Sequence, residues 1–152
     1  MNNSNAIGSE PNPPGKSHGL QVVLVDDSIL MREHIVDSLH AIEGVAGIRE
    51  AVDVPSGLRL VQERQPDVLI IDIELPGQSG LDLLKFVRHR DHTAVIIMFS
   101  MHDHPTIRQK CTDLGADFFF HKLTEFDKVA DVCREMIQRR QQKDTTTSTN
   151  GV

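Results

Sequence analysis

The chain has no tryptophan and no tyrosine, only two cysteines, and no excess of positive charge. Each shortage excludes something. Without Trp or Tyr, aromatic stacking on bases or flavins has few residues to use. A formal net charge of −6 over 152 residues argues against a general nucleic-acid binder, which carries a basic face. Cys111 and Cys133 fall inside two helical patterns and read as ordinary buried thiols rather than a disulfide. No apolar stretch approaches the ~20 residues that span a bilayer. The opening MNNSNAIGSEPNPPGKSHG has neither a basic start nor an apolar segment, so it does not read as a signal peptide, and a cytoplasmic location is expected.

What is present fits one globular domain: 39% hydrophobic and 25% charged residues. Residues 1–19 are polar and rich in Asn, Ser, Pro and Gly, and are expected to form a flexible tail. Residues 141–152 (QQKDTTTSTNGV) are equally polar and are expected to be disordered. The structured domain is expected over residues 20–140.

Within it, short apolar runs alternate with helical patterns. Val22–Val25 ends at Asp26-Asp27. Ser28 caps a helix to about Glu43 whose stripe is Ile29, Ile35, Val36, Leu39 and Ile42, with Gly44 and Gly47 as breakers. Ile48–Val52 is a more polar strand, nearer an edge. Pro55-Ser56 opens a helix that Pro66 closes. Val68–Ile71 lacks polar alternation, as in a strand buried on both faces, and ends in Asp72. A helix follows Gly80. Ala94–Phe99 ends in Ser100. Residues 103–114 make a polar helix with Asp103 as its cap. Asp117–Phe120 ends at His121-Lys122, with Phe118 and Phe120 read as sheet core. Thr124 caps a last helix through Ile137, and Arg139-Arg140 reads as a helix end placed against its dipole. Five strand–helix units with short connections predict a parallel five-stranded sheet, doubly wound, in the flavodoxin-like order 2-1-3-4-5.

The polar strand ends then gather at one edge. Asp72 alone has three readings: metal ligand, nucleophile or helix cap. Asp26, Asp27 and Asp72, with Ser100 and Lys122 alongside, are five polar residues at equivalent strand ends. Two like charges ~4 Å apart repel by about 4 kcal/mol at an effective dielectric near 20. Three carboxylates therefore need more than one lysine, and oxygen ligands with few carboxylates favour Mg²⁺ over Ca²⁺. Such a metal site facing a lysine and a hydroxyl suits phosphoryl transfer to an Asp oxygen. The histidines His89, His92, His102, His104 and His121 show no zinc-site spacing.

VLVDDS (Val23–Ser28), LIIDIELPGQSG (Leu69–Gly80), IIMFS (Ile96–Ser100) and GADFFFHK (Gly115–Lys122) together resemble the receiver domain of two-component response regulators. The resemblance covers residues 20–140. It implies that Asp72 is a phosphoacceptor supplied by a sensor histidine kinase or a histidine phosphotransfer protein. It implies that Asp27 and Asp72, with the Glu74 backbone carbonyl, hold Mg²⁺, and that Asp26 acts through water. It implies further that Lys122 pairs with the phosphoryl oxygens, that Ser100 swings towards them, and that Phe119 is the aromatic switch. The face of the fourth helix, fifth strand and fifth helix then changes shape for a downstream protein target, and the same face leaves room for a homodimer. Departures from the family are Leu123, where proline is usual and commonly cis, and Met101, where a small residue is usual. A cis Lys-Leu bond costs about 3 kcal/mol, so a trans bond and a reshaped loop are expected. By the resemblance Glu74 and His102 hold positions that flank the path of an attacking water, Met101 adds bulk beside it, and the three are expected to set the lifetime of the phosphorylated state. The expected role is a phosphorylatable signalling module and not an enzyme in its own right. The rival readings are the receiver half of a longer DNA-binding regulator and a small phosphohydrolase using Asp72 as nucleophile.

Overall fold

The computed structural model describes residues 19–90 and 93–149, and the expected tail at 1–19 lies almost wholly outside them. The elements are β1 (Leu20–Val25), α1 (Ile29–His40), β2 (Val45–Ala51), α2 (Val54–Glu63), β3 (Val68–Asp72), α3 (Gly80–His89), β4 (Val95–Ser100), α4 (Pro105–Asp113), β5 (Phe118–His121) and α5 (Asp127–Thr149). All strand pairs are parallel and the sheet order is β2-β1-β3-β4-β5. The expected doubly wound (βα)5 architecture is what the chain adopts. No helix among the described residues is long and apolar enough to cross a membrane.

β3 sits at the centre because its residues want no water on either side. All five are buried, and each of its large apolar side chains contributes about 2 kcal/mol by leaving water. Alternation along the strands splits the core in two. Val22, Leu24, Val68, Ile70, Ile97 and Phe99 face α1 and α5, where Ile35, Leu39, Val129 and Cys133 meet them. Val23, Val25, Leu69, Ile71, Ile96 and Met98 face the other side, against Val54, Val61, Leu83, Leu84 and Cys111. Both cysteines are free and buried.

Several local expectations differ from the structure. Ile29 is 64% exposed, so the α1 stripe begins lower, at Ile35. β2 begins at Val45 and holds Gly47 within it, while Gly44 makes the turn before it at φ 104°. Asp103 does not cap α4. His104 holds the cap position without a side-chain bond, and Asp103 pairs with the Arg108 guanidinium instead. Thr124 does not cap α5, which starts at Asp127. Phe118 is 37% exposed because β5 is an edge strand, and it stacks on Phe120 with ring centroids 5.5 Å apart.

The disordered tail expected from Gln141 also differs, for α5 continues to Thr149. Gln and Lys are good helix formers, and neither Gly nor Pro intervenes before residue 151. The Thr145 and Thr146 hydroxyls bond back to the carbonyls of Gln141 and Gln142.

Candidate functional site

Only four polar or charged residues are buried among the described residues: Asp26, Asp72, Ser100 and Lys122. All four stand at the carboxyl ends of strands. Register brings them together. Val25 of β1 pairs with Ile71 of β3, so the next residues, Asp26 and Asp72, are neighbours. Ser100 of β4 pairs with His121 of β5, and the Lys122 N–H donates to the Ser100 carbonyl at 2.9 Å.

The side chains complete a compact cluster. Lys122 Nζ donates to Asp26 Oδ2 at 2.6 Å and to Asp72 Oδ2 at 2.9 Å. The other oxygen of each carboxylate is also engaged. Asp26 Oδ1 accepts from the Ser28 N–H at 2.8 Å, and Asp72 Oδ1 accepts from the Glu74 N–H at 3.0 Å. Asp27 is exposed, on the solvent side of the pair. Asp26, Asp27 and Asp72 each present an oxygen within 4.8 Å of the others, which is the only such metal-ligating group among the described residues. Asp72 is therefore no helix cap; Ser79 caps α3, its hydroxyl accepting from the Leu81 N–H.

One ammonium serves two buried carboxylates, and the charge balance shows it. Burial pushes Asp72 up from 3.8 to about 6, the Asp26 charge adds to this, and Lys122 and the Glu74 amide only partly oppose it. Burial also works against the charged lysine, but its bonds to Asp26 and Asp72 outweigh that and raise it overall. The lysine is well compensated; the carboxylates together lack positive charge.

The backbone beside Asp72 has no spare room. A Cβ on Gly80 would fall 2.0 Å from the Asp72 carbonyl oxygen. Because that obstacle is backbone, Gly80→Ala is expected to cost about 3 kcal/mol in urea unfolding as α3 is pushed from β3. An unchanged midpoint would show that α3 can slide.

Around this centre lie the expected tuning residues. His102 Nε2 stands 2.6 Å from Glu74 Oε1, and both side chains are more than half exposed. The pair ties the loop after β3 to the loop after β4. Met101 is 44% exposed and Leu123 67% exposed, at the same edge. No cis peptide bond occurs among the described residues, so Lys122–Leu123 is trans as expected. The Ser100 hydroxyl accepts from the His102 N–H at 3.0 Å. Of the five histidines weighed as metal ligands, His92 lies outside the described residues.

Phe119 is half-buried, and the Arg108 guanidinium lies over its ring at 4.5 Å. The same guanidinium bonds Asp103, Glu125 at 2.8 Å and the Phe119 carbonyl at 3.3 Å. Lys128 first, then Arg108, hold the Glu125 carboxyl down at about 2. Arg108 was not legible as a site residue: its partners are 5, 11 and 17 positions away, outside any local pattern.

A buried Asp–Asp–Lys cluster at the carboxyl edge of a 2-1-3-4-5 parallel sheet defines the CheY-like class of α/β domain. The profile of the response regulator receiver domain matches residues 22–134, and the chain belongs to that family. Its general function is phosphoryl transfer in two-component signalling, where receiver domains pair with histidine kinases and with output domains.

Among relatives, the chain is 35% identical to a protein-glutamate methylesterase/protein-glutamine glutaminase 2 of Koribacter versatilis, over 70% of this chain and 30% of that protein. It is 29% identical to a nitrate/nitrite response regulator protein homolog of Haemophilus influenzae, over 78% of this chain and 57% of the other. A LuxR-family two-component response regulator from Aurantimonas sp. SI85-9A1 superposes with a TM-score of 0.72 at 27% identity, covering 79% of this chain and 86% of that one. The chain thus spans between about a fifth and somewhat over half of the length of the curated relatives it matches.

Proposed function

We propose that Asp72 accepts a phosphoryl group from a phosphohistidine of a sensor kinase or phosphotransfer protein. The observation that supports this most is that the four buried polar residues of the described chain all stand at the carboxyl ends of neighbouring strands, with Lys122 bonding both Asp26 and Asp72. An Asp72 carboxylate oxygen attacks phosphorus in line, the P–N bond breaks, and its electron pair leaves with the imidazole. Lys122 exchanges its bonds to the carboxylates for a phosphoryl oxygen, and Ser100 turns its hydroxyl to another.

The site fits a hard divalent cation. Its donors are all oxygen, and its carboxylates lack positive charge. Asp27, Asp72 and the Glu74 carbonyl would hold Mg²⁺, with Asp26 acting through water. Bound there, the ion supplies the charge that neutralises the transferring phosphoryl oxygens.

Movement of Ser100 lets Phe119 turn inward, and the α4–β5–α5 face changes shape. A downstream protein, or a second copy of the chain, reads that face. The setting is cytoplasmic. The names of the relatives favour a second layer to this reading: an output domain of the LuxR type or of the methylesterase type that responds to the receiver.

Incubation with acetyl phosphate, with and without Mg²⁺, followed by intact-mass measurement tests the reading. One phosphoryl adduct is expected, dependent on Mg²⁺ and absent from Asp72→Asn. An unmodified wild type would refute it.

The Glu74–His102 pair is expected to slow the approach of water to the phosphoryl group. Glu74→Ala and His102→Ala should each shorten the phosphorylated lifetime roughly three- to tenfold, because either change opens the same bridge. Timing phosphate loss checks this, and wild-type rates in both variants would dispose of it.

A further inference from the structure

We infer that His121 is a positioning residue for Lys122, supplying an acceptor that the chain needs because residue 123 is leucine. The inference rests on the proposed role of Lys122. Lys122 has to be delivered accurately, since its buried ammonium bonds two carboxylates at 2.6 and 2.9 Å. On its N-terminal side the backbone is fixed to β4 through the Ser100 carbonyl. On its C-terminal side the chain leaves the sheet at once, and Leu123 is 67% exposed. Burial of residue 123 does not hold the loop there.

The His121 imidazole does. Its Nδ1 accepts from the Leu123 N–H at 3.1 Å and from the Thr124 N–H at 3.4 Å. Both partners are backbone donors, so Nδ1 must present its lone pair and the ring proton must sit on Nε2. The rest of His121 closes the same loop. Its N–H donates to Glu125 Oε1 at 3.2 Å, and its carbonyl accepts from the Glu125 N–H at 3.0 Å. Side chain and backbone together fold residues 121–125 into one turn, with Lys122 at its root, in the way that Asx side chains organise turns.

Leu123 explains the need. A proline at this position carries no N–H and restricts its own φ. Leucine restores a donor and frees the backbone. The imidazole captures that donor and stiffens the turn, so His121 and Leu123 act as a pair. This also accounts for a residue that the sequence offered only as one of several candidate metal-ligand histidines.

The test uses His121→Phe, which keeps a ring without an acceptor, His121→Asn, which keeps an acceptor, and the double variant His121→Phe/Leu123→Pro. His121→Phe is expected to speed amide exchange of Leu123 and Thr124 and to slow acetyl phosphate labelling of Asp72. Each change should be about tenfold, the size of one lost hydrogen bond. His121→Asn should recover most of both. Adding Leu123→Pro should recover part of the labelling rate by removing one of the two orphaned donors and restricting the backbone, which a general loss of stability would not allow. Unchanged amide exchange in His121→Phe overturns the inference, and so does slowed labelling that neither rescue restores. If wild type takes no phosphoryl group, the reading of Asp72 falls, while amide exchange still decides on His121.

Discussion

Asp72→Asn is expected to stabilise the metal-free domain at neutral pH. The Asp72 carboxyl titrates near 6 in the fold and near 3.8 without it. Between those values the folded chain holds the extra proton, so stability falls as pH rises through the window from about 4 to about 6. Above it, ionised Asp72 costs the fold about 3 kcal/mol, the equivalent of its displacement of about two pKa units. Asparagine removes that cost while its carbonyl still accepts from Lys122, and Asp26 keeps the ammonium neutralised. Thermal melts should therefore show Asp72→Asn above wild type at pH 7 and level with it below pH 4. Millimolar Mg²⁺ should raise wild type more than the variant, because only wild type offers the full set of carboxylates. A variant with no advantage at pH 7 would mean that Asp26 and Lys122 already balance the site.

Lys122→Met is expected to act in the opposite direction. It leaves the Asp26 and Asp72 side chains, 1% and 6% exposed, with no cation between them. Removing one partner from a buried ion pair destabilises by about 3–5 kcal/mol. The chemical origin can be told from mere repacking. If uncompensated charge is the cause, the deficit shrinks when acid protonates Asp72, when Mg²⁺ is added, and when Asp72→Asn is combined with it. A deficit indifferent to all three would assign the loss to packing around the lysine stem and the Phe99 ring, 5.9 Å from Nζ. Such non-additivity is itself a measure of the coupling among the three side chains.

Much of this centre was legible because it is written as punctuation. Apolar runs that end in Asp26, Asp72, Ser100 and Lys122 read as buried strands whose polar ends share one edge of the sheet. Alternation of strands and helices then fixes which edges coincide. Elsewhere the signals were weaker. Asp103 and Thr124 look like helix caps, yet Asp103 has an arginine to pair with and Thr124 sits in a turn that His121 organises. Composition marked residues 141–152 as tail, although through Thr149 they extend a helix already nucleated by its packed part. Phe118 reads as core because its type is apolar, and only the edge position of β5 exposes it. The Glu74–His102 and Arg108–Glu125 pairs join separate loops, so no local periodicity announces them.

Arg108 carries a consequence in thermodynamic terms. One guanidinium holds α4 through its own backbone, β5 through the Phe119 ring and carbonyl, and the start of α5 through Glu125. Three elements that share a fastening are coupled, and on the proposed reading the face then tends to respond as a unit. Coupling of this kind is reciprocal. Whatever factor phosphorylation adds to a partner's affinity for this face, the partner returns as the same factor favouring the phosphorylated form. On the proposed reading, the abundance of the listener then helps to set what share of the chain carries the phosphoryl group at equilibrium.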